Sequence, residues 1–269
     1  MMELDPHRSY MMPAHFGPRP PSPKASGWYH DVTSMVVSFV TDADTVAAYL
    51  PPQFSVAERA IVRVTYACNR NIDWLAGHGY NLLAVSAAVD YAGEEGRLSG
   101  NYTLVMWENL ADPILTGREL QGIPKIYADI PDHSVIAGQW RSTASHFGHK
   151  ILDMSIVDLR QPTAEEIETF TDKAKHGEHP LAWRYFPGVS GFGESINEYT
   201  TFPSENHITD AFVGNGRVDW QTLTWEQNPT QFHIVNALAA LPVLEWLPAI
   251  VAKGSTNLII PERLPRVVR

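Results

Sequence analysis

The sequence predicts a mainly β protein with only short helices. Apolar residues from Thr33 onward come in short runs rich in Val, Ile, Tyr, Phe and Trp, the residues that favour strands. Turn-forming residues separate these runs, and signals for helix starts are few. The runs that we predict to be strands cover residues 33–40, 61–68, 82–91, 101–108, 134–145, 151–159, 208–213, 217–225 and 255–260.

Three short helices are predicted from capping residues. Side chains of Asp, Asn, Ser and Thr accept hydrogen bonds from the free N–H groups of a helix start, and proline stops a helix. The predicted helices follow Asp42 or Asp44 and end before Pro51-Pro52, run from the capping box Thr163-Ala164-Glu165-Glu166 to about Lys175, and span residues 232–247 after Asn228 or Thr230.

The first part of the chain differs from the rest. Residues 1–29 are rich in Pro, Met and His, and the segment Pro18-Arg19-Pro20-Pro21-Ser22-Pro23 prevents regular strand pairing. We therefore predict an extended N-terminal arm over 1–29 and a single domain over 30–269. Arms of this kind often pack on a neighbouring subunit.

The composition favours an oligomer and argues against polyanionic partners. Charged residues make up 19% of the chain, below the roughly one quarter of a typical globular protein, so we expect a homo-oligomer whose subunits cover part of the surface. The formal net charge of −10 argues against nucleic acid and against an anionic membrane as partner. We find neither a signal-peptide pattern nor an apolar stretch of membrane-spanning length, so a cytoplasmic location is expected.

Lys125 stands among apolar neighbours. It follows Ile123-Pro124 and precedes Ile126 at the start of a predicted strand. A lysine acts as a nucleophile only as the neutral amine, and an apolar environment favours that form. A lone lysine after proline is otherwise usually a solvated surface charge, so this pattern by itself leaves both interpretations open.

The segment Gly117-Arg118-Glu119-Leu120-Gln121-Gly122-Ile123-Pro124-Lys125 resembles the lysine segment of the acetoacetate decarboxylase family. That family pattern has Gly-Arg-Glu-Leu, two residues, an aromatic or apolar residue, Pro and the Schiff-base Lys. Further landmarks in the family's order are Pro13-Ala14-His15-Phe16, Thr41-Asp42-Ala43-Asp44, Val62-Arg63, Asn101-Tyr102, His149-Lys150, Asn228-Pro229-Thr230 and Leu258-Ile259-Ile260-Pro261. The resemblance implies the family's closed, cone-like β-barrel with a few short peripheral helices, and a carbonyl substrate that condenses with Lys125 to an iminium.

The chain departs from the family at charged positions. Ile126 stands where the decarboxylases have a second lysine, whose charge would help to keep the first one neutral. The two glutamates of the family pocket align with Thr65 and Leu82, and the pocket arginine aligns near Val32. These replacements make loss of carbon dioxide from acetoacetate less favoured here.

The same iminium can serve another reaction. A pyruvate iminium can tautomerise to an enamine, attack an aldehyde and lose water. We therefore expect a Schiff-base-forming lyase that joins pyruvate, or a similar small keto acid, to an aldehyde in an aldolase-dehydratase reaction. The alternatives are a decarboxylase of acetoacetate or a related β-keto acid, and a non-catalytic binding protein for a small ligand on the same barrel. No cofactor is expected, because the lysine iminium itself is the electron sink.

Two further residues are candidates for catalysis beside Lys125. Gln121 lies where some aldolase-dehydratase members of this superfamily carry Gln, and its amide would hold the substrate carboxylate or the attacking hydroxyl. Tyr80 either lines the pocket as an acid–base group or is a core tyrosine.

The substrate-binding candidates are Arg118, Glu119, Leu82 and Thr65. A guanidinium is a natural partner for the carboxylate of a keto acid, but an adjacent Arg-Glu pair can equally form a structural salt bridge. We favour a structural role for Glu119 and leave the role of Arg118 open. The dipeptide Glu108-Asn109 is interpreted as part of a turn.

Two histidine pairs are weak candidates for a metal site. His146 with His149 and His176 with His179 have no helix to align them. A metal site needs three or four ligands in fixed geometry, and neither pair fits the helical His-Glu-x-x-His pattern. We expect no metal.

Overall fold

The computed structural model describes residues 4–19, 26–94, 96–167, 179–259 and 264–269. Within these ranges the chain is mainly β, which confirms the predicted fold class at that level. The strands are β1 (Trp28–Val40), β2 (Phe54–Val56), β3 (Ile61–Ile72), β4 (Tyr80–Gly93), β5 (Gly96–Glu108), β6 (Lys125–Tyr127), β7 (Ser134–Ile136), β8 (Gln139–His146), β9 (His149–Arg160), β10 (His179–Pro187), β11 (Glu194–Thr201), β12 (Glu205–Trp220), β13 (Glu245–Trp246), β14 (Ala249–Asn257) and β15 (Arg266–Val268).

The described helices are short. They are α1 (Ala43–Ala47), α2 (Ala111–Thr116) continued by a π-helical turn (Gly117–Gln121), α3 (Phe232–Ala239), a helical turn at 164–167, and 3-10 turns at Ala14–Phe16 and Asp73–Leu75. None of the helices in the described ranges is long and apolar enough to span a membrane.

The strands form one twisted, mostly antiparallel sheet. Its order is β15-β11-β10-β5-β4-β3-β1-β14-β12-β9-β8-β7, with β13 beside β1, β2 beside β4 and β6 beside β5. This order has two ends, and no pairing between described residues joins them. Closure of the sheet into a cone-like barrel therefore stays a prediction. The division of the chain into an N-terminal arm and one domain also stays a prediction.

The structure corrects several predicted strand boundaries. Residues 134–145 form two strands, because Ala137 and Gly138 have positive φ angles of 49° and 81° and turn the chain into a hairpin. The runs 208–213 and 217–225 belong to β12, which ends at Trp220. Strands β10 and β11 were missed because polar and charged residues dilute their alternation.

Two of the three predicted helix starts are confirmed. Asp42 caps α1, since its carboxylate accepts a 2.8 Å hydrogen bond from the Thr45 N–H. The capping box forms as expected, with the Thr163 N–H donating to Glu166 and the Glu166 N–H donating to Thr163. The rest of that predicted helix, to about Lys175, lies outside the described residues.

The third predicted helix is too long. The structure has a helix over Phe232–Ala239 only, because the chain reaches Pro242, which cannot continue a helix. Beyond it, Glu245–Trp246 pairs with β1 as a short strand.

The main core lies against one face of β3 and β4. Val64 and Tyr66 on β3 and Leu83 and Val85 on β4 are 0% exposed, while the residues between them on these strands point to the other face. We call this other face the site face, because it carries the side chains described below. Several of its residues, including Thr65, are half-buried rather than buried.

Candidate active site

Lys125 is the first residue of β6 and is buried. Strand β6 runs parallel to β5, and Lys125 pairs with Met106 in the register. The residue is 7% exposed. Its Nζ lies 2.8 Å from Glu108 Oε1 and donates a 3.2 Å hydrogen bond to the carbonyl oxygen of Pro113. The amine is thus held at a fixed place inside the protein.

Glu108 is the carboxylate partner that the sequence interpretation missed. It is the last residue of β5 and is 0% exposed, so the interpretation of Glu108 as a turn residue is wrong. Burial raises the pKa of Glu108 above its usual value, and the ammonium group of Lys125 opposes only part of that effect. Apart from the ion pair with Nζ, neither oxygen has a hydrogen-bond partner among the described residues. The carboxyl group therefore has free capacity to bind or exchange a proton.

The glycine of the motif makes room for the lysine. A Cβ atom at Gly117 would lie 2.5 Å from Lys125 Cε and 2.8 Å from Nζ. The Lys125 side chain packs against the Cα atom of Gly117. Gly117 is the residue at which α2 changes to the π-helical turn. The helix and β6 are thereby brought close enough for the Pro113 carbonyl to accept from Nζ.

Arg118 binds the backbone of Lys125, whereas Glu119 is bound through its own backbone by Arg184. Arg118 Nη1 donates a 2.8 Å hydrogen bond to the backbone carbonyl of Lys125. The carbonyl of Glu119 accepts a 2.9 Å bond from Arg184 Nε. No ion pair joins Arg118 to Glu119 in the part of the chain that the structure describes. The considered Arg118–Glu119 salt bridge is therefore not formed, and Arg118 instead holds the strand that carries Lys125.

Strand register places Leu82 next to the ion pair. Leu82 on β4 pairs directly with Glu108 on β5, so their side chains leave the sheet on the same face. Thr65 is connected to Lys125 by a line of paired residues across the sheet. Thr65 pairs with Ala84, Ala84 pairs with Met106, and Met106 pairs with Lys125. Leu82 is thus adjacent to the candidate catalytic groups, whereas Thr65 is three strands away from Lys125.

Tyr80 lies one residue pair beyond Leu82 on the same face of β4. Its hydroxyl is 3.3 Å from the hydroxyl of Tyr29, which accepts a 3.1 Å hydrogen bond from Trp74 Nε1. Burial, followed by the negative charge of Glu108, raises the pKa of Tyr80 well above its usual value. Tyr80 is therefore a phenol near Glu108 that keeps its proton at neutral pH.

Gln121 ends the π-helical turn. Its backbone carbonyl accepts a hydrogen bond from the Thr200 hydroxyl, which ties the turn to β11. Its side chain is half-buried, and no hydrogen bond of its amide to another described residue is formed. Among the described residues, no hydrogen bond joins this amide to Lys125 or Glu108.

His146, His149 and His179 form no hydrogen bond or ion pair with Lys125. His146 and His149 face each other across the hairpin between β8 and β9, and His179 begins β10. His176 is outside the described residues. Within the described ranges no three side chains of His, Cys, Asp or Glu cluster as metal ligands would.

Comparison with known proteins supports one family over most of the chain. Residues 11–253 match the family model described as acetoacetate decarboxylase (ADC). An acetoacetate decarboxylase from Chromobacterium violaceum is 26% identical over 253 residues, covering 90% of this chain and 88% of the relative.

Two solved structures share the fold. The crystal structure of acetoacetate decarboxylase from Legionella pneumophila superposes with a TM-score of 0.71 at 16% identity, covering 100% of this chain and 98% of that one. The enduracididine biosynthesis enzyme MppR, complexed with the condensation product of pyruvate and imidazole 4-carboxaldehyde, superposes with a TM-score of 0.64 at 14% identity, covering 90% and 89%. Because the family model spans nearly the whole chain and the fold is shared, this chain belongs to the acetoacetate decarboxylase family.

Proposed function

We propose that this chain is a Schiff-base-forming lyase that condenses pyruvate with an aldehyde and removes water from the product. The observation that carries the proposal is the buried Lys125 Nζ, 2.8 Å from a carboxyl group of Glu108 that has no other partner among the described residues. An amine and a proton-exchanging group at this distance are what iminium chemistry requires.

The first half of the reaction makes a nucleophile from pyruvate. Lys125 Nζ adds to the C2 carbonyl, and the resulting carbinolamine loses water to give the iminium. Glu108 accepts a proton from the C3 methyl group, and the electron pair of that C–H bond moves into the iminium to form the enamine. The raised pKa of Glu108 suits this exchange, because a carboxyl group with a pKa nearer neutrality both takes and returns a proton.

The second half joins the carbons and expels water. C3 of the enamine attacks the aldehyde carbon, and the aldehyde oxygen takes a proton to become a hydroxyl. A second C3 proton and this hydroxyl then leave as water, which forms the carbon–carbon double bond. Hydrolysis of the iminium releases the unsaturated keto acid and frees Lys125.

Neighbouring residues support condensation over decarboxylation. Leu82 lies directly beside Glu108 and offers no charge that would help to expel a carboxylate. Tyr80 keeps its proton because its pKa is raised, so it is a donor for the nascent hydroxyl. In this proposal Gln121 turns its amide toward the pyruvate carboxylate, and Arg118 positions Lys125 through its carbonyl.

A second candidate function is decarboxylation of acetoacetate or a related β-keto acid. The feature that favours it is Glu108 itself, since a buried carboxyl group beside the lysine supplies acidic character that Leu82 and Thr65 lack. Release of carbon dioxide from acetoacetate, without consumption of an aldehyde, would identify this reaction.

The test is trapping of the iminium. The protein is incubated with pyruvate and, separately, with acetoacetate, then reduced with borohydride and weighed by intact mass spectrometry. We expect a pyruvate adduct in wild type and in Lys150→Met, which removes an exposed lysine, and none in Lys125→Met. An adduct that persists in Lys125→Met overturns the assignment of the nucleophile. Absence of an adduct with either acid in wild type favours a non-catalytic binding protein.

The acid–base role of Glu108 is tested separately. Glu108→Gln keeps the shape of the side chain but cannot exchange the proton, so we expect deuterium exchange at the pyruvate methyl group to fall by at least about 100-fold. The pyruvate adduct should still form. Unchanged exchange would assign the proton transfer to another group.

A further inference from the structure

Asn69 is a buried polar residue on the site face. It is 3% exposed, and its Nδ2 has no hydrogen-bond partner among the described residues. Burying an amide donor without a partner costs free energy, roughly 1–3 kcal/mol. An unpaired buried donor of this kind points to a ligand group that it would bind.

Strand register directs Asn69 to the same side as the candidate catalytic groups. Asn69 on β3 pairs directly with Tyr80 on β4, and Leu82, two residues further along β4, pairs with Glu108 on β5. Residues opposite each other in an antiparallel pair, and residues two apart in a strand, share a face. Asn69 and Glu108 therefore flank β4 on its site face.

Strand geometry sets the distance between these two residues. Two strand spacings and one two-residue step separate their Cα atoms by roughly 12 Å. Because both side chains project from the same face, a flat molecule the size of a substituted benzene ring spans the gap between them.

Tyr80 and Leu82 of β4 form the surface between these two residues. Leu82 packs against a buried cluster of Tyr29, Ile72 and Tyr80, together with Leu110, Leu258 and Val32, which pairs with Asn69 on its other side. Leu82, Val32, Leu110 and Leu258 are half-buried.

We propose that the aldehyde partner of pyruvate binds along this surface, with its carbonyl at Lys125 and Glu108 and its far end at Asn69. Asn69 Nδ2 donates a hydrogen bond to an acceptor group at that far end. The substrate class is thus an aldehyde with a flat apolar body and a remote hydrogen-bond acceptor. Small aldehydes leave the donor unpaired. This inference rests on the proposed function and deepens it.

The experiment compares two aldehydes of nearly equal shape. With pyruvate as co-substrate, kcat/KM is measured for 4-methoxybenzaldehyde, whose ether oxygen accepts a hydrogen bond, and for 4-ethylbenzaldehyde, which has no acceptor. Wild type should prefer the methoxy compound by about 5- to 10-fold, the effect of one net hydrogen bond. Asn69→Leu, a substitution of similar size, should lose this preference while using the ethyl compound as well as wild type does.

A second variant and the trapping assay separate the possible failures. Leu82→Glu should raise KM for both aldehydes, since it puts a charge on an apolar part of this surface. If wild type forms no adduct, the proposed function fails. If the adduct forms but wild type and Asn69→Leu show the same preference, this inference is wrong. Circular dichroism shows whether each variant is folded.

Discussion

At the scale of single residues, the pair of Lys125 and Glu108 dominates the site. Both are almost completely buried, and the Coulomb attraction between them offsets part of the cost of removing two charges from water. Removing one partner leaves the other charge buried alone, which is more costly than removing both. The contribution of the pair to the stability of the protein therefore depends on its protonation.

A pH-dependent stability of the Lys125→Met variant follows from this pair. Without the ammonium group, nothing lowers the already raised pKa of Glu108. The folded state then holds a proton that the unfolded state has lost, so stability falls as pH rises above the unfolded pKa. We expect the free energy of unfolding to drop by at most about 1.4 kcal/mol per pH unit as the pH rises from the unfolded pKa of a glutamate, about 4.3, toward the raised pKa of the folded state. Urea unfolding at several pH values measures it.

The double variant Lys125→Met/Glu108→Gln is the matched control. It carries no titrating group at the site, so its stability should change with pH less steeply than that of Lys125→Met. Parallel profiles for the two variants would show that Glu108 is not the group responsible.

At the scale of secondary structure, the junction of α2 with the π-helical turn shapes the site. Gly117 brings this helix onto the Lys125 side chain, and the Pro113 carbonyl accepts the amine proton. The hydrogen bond from Arg118 to the Lys125 carbonyl ties the turn to β6. Helix and strand thus fix the amine together.

Gly117→Ala should damage the site through this contact. Gly117 has φ −68°, which alanine adopts readily, so backbone strain does not contribute. The added Cβ displaces Lys125, and we expect a loss of about 1–3 kcal/mol of stability together with loss of most iminium formation. Leu115→Ala, at an exposed position of the same helix, is the control and should keep adduct formation. Normal trapping in Gly117→Ala would show that the lysine tolerates displacement.

At the scale of the whole molecule, exposed apolar side chains support the expected homo-oligomer. Ile136 is 73% exposed, Phe147 62% and Trp225 61%. Ile136 belongs to β7, which ends the sheet order, and an unpaired strand edge is a site for pairing with another chain. The homo-oligomer stays a prediction, which these exposed side chains favour.

Analytical ultracentrifugation should find a multiple of the 30.0 kDa chain. Ile136→Lys, which places a charge on the edge strand, should shift the distribution toward smaller species if β7 takes part in the interface. A single 30.0 kDa species at micromolar concentration would contradict the oligomer prediction.

Local patterns in the sequence were sufficient to predict part of the fold and of the candidate site. The mainly β class, the cap at Asp42 and the capping box at Thr163 depend on residues close in the chain, and each is confirmed. The motif ending in Lys125 was also visible, because it is continuous. Strands β10 and β11 were not predicted, because the alternation of apolar and polar residues is weak in these short segments.

The sequence by itself thus determined the family, the fold class and the candidate nucleophile, since each depends on neighbouring residues. Only the tertiary structure decided what surrounds that nucleophile. Glu108 meets Lys125 because β6 lies parallel to β5, and Leu82 joins them because β4 pairs with β5 in one register. Pairing between distant segments depends on how the whole sheet packs, so no local pattern reveals that a carboxylate at a strand end is buried beside an amine.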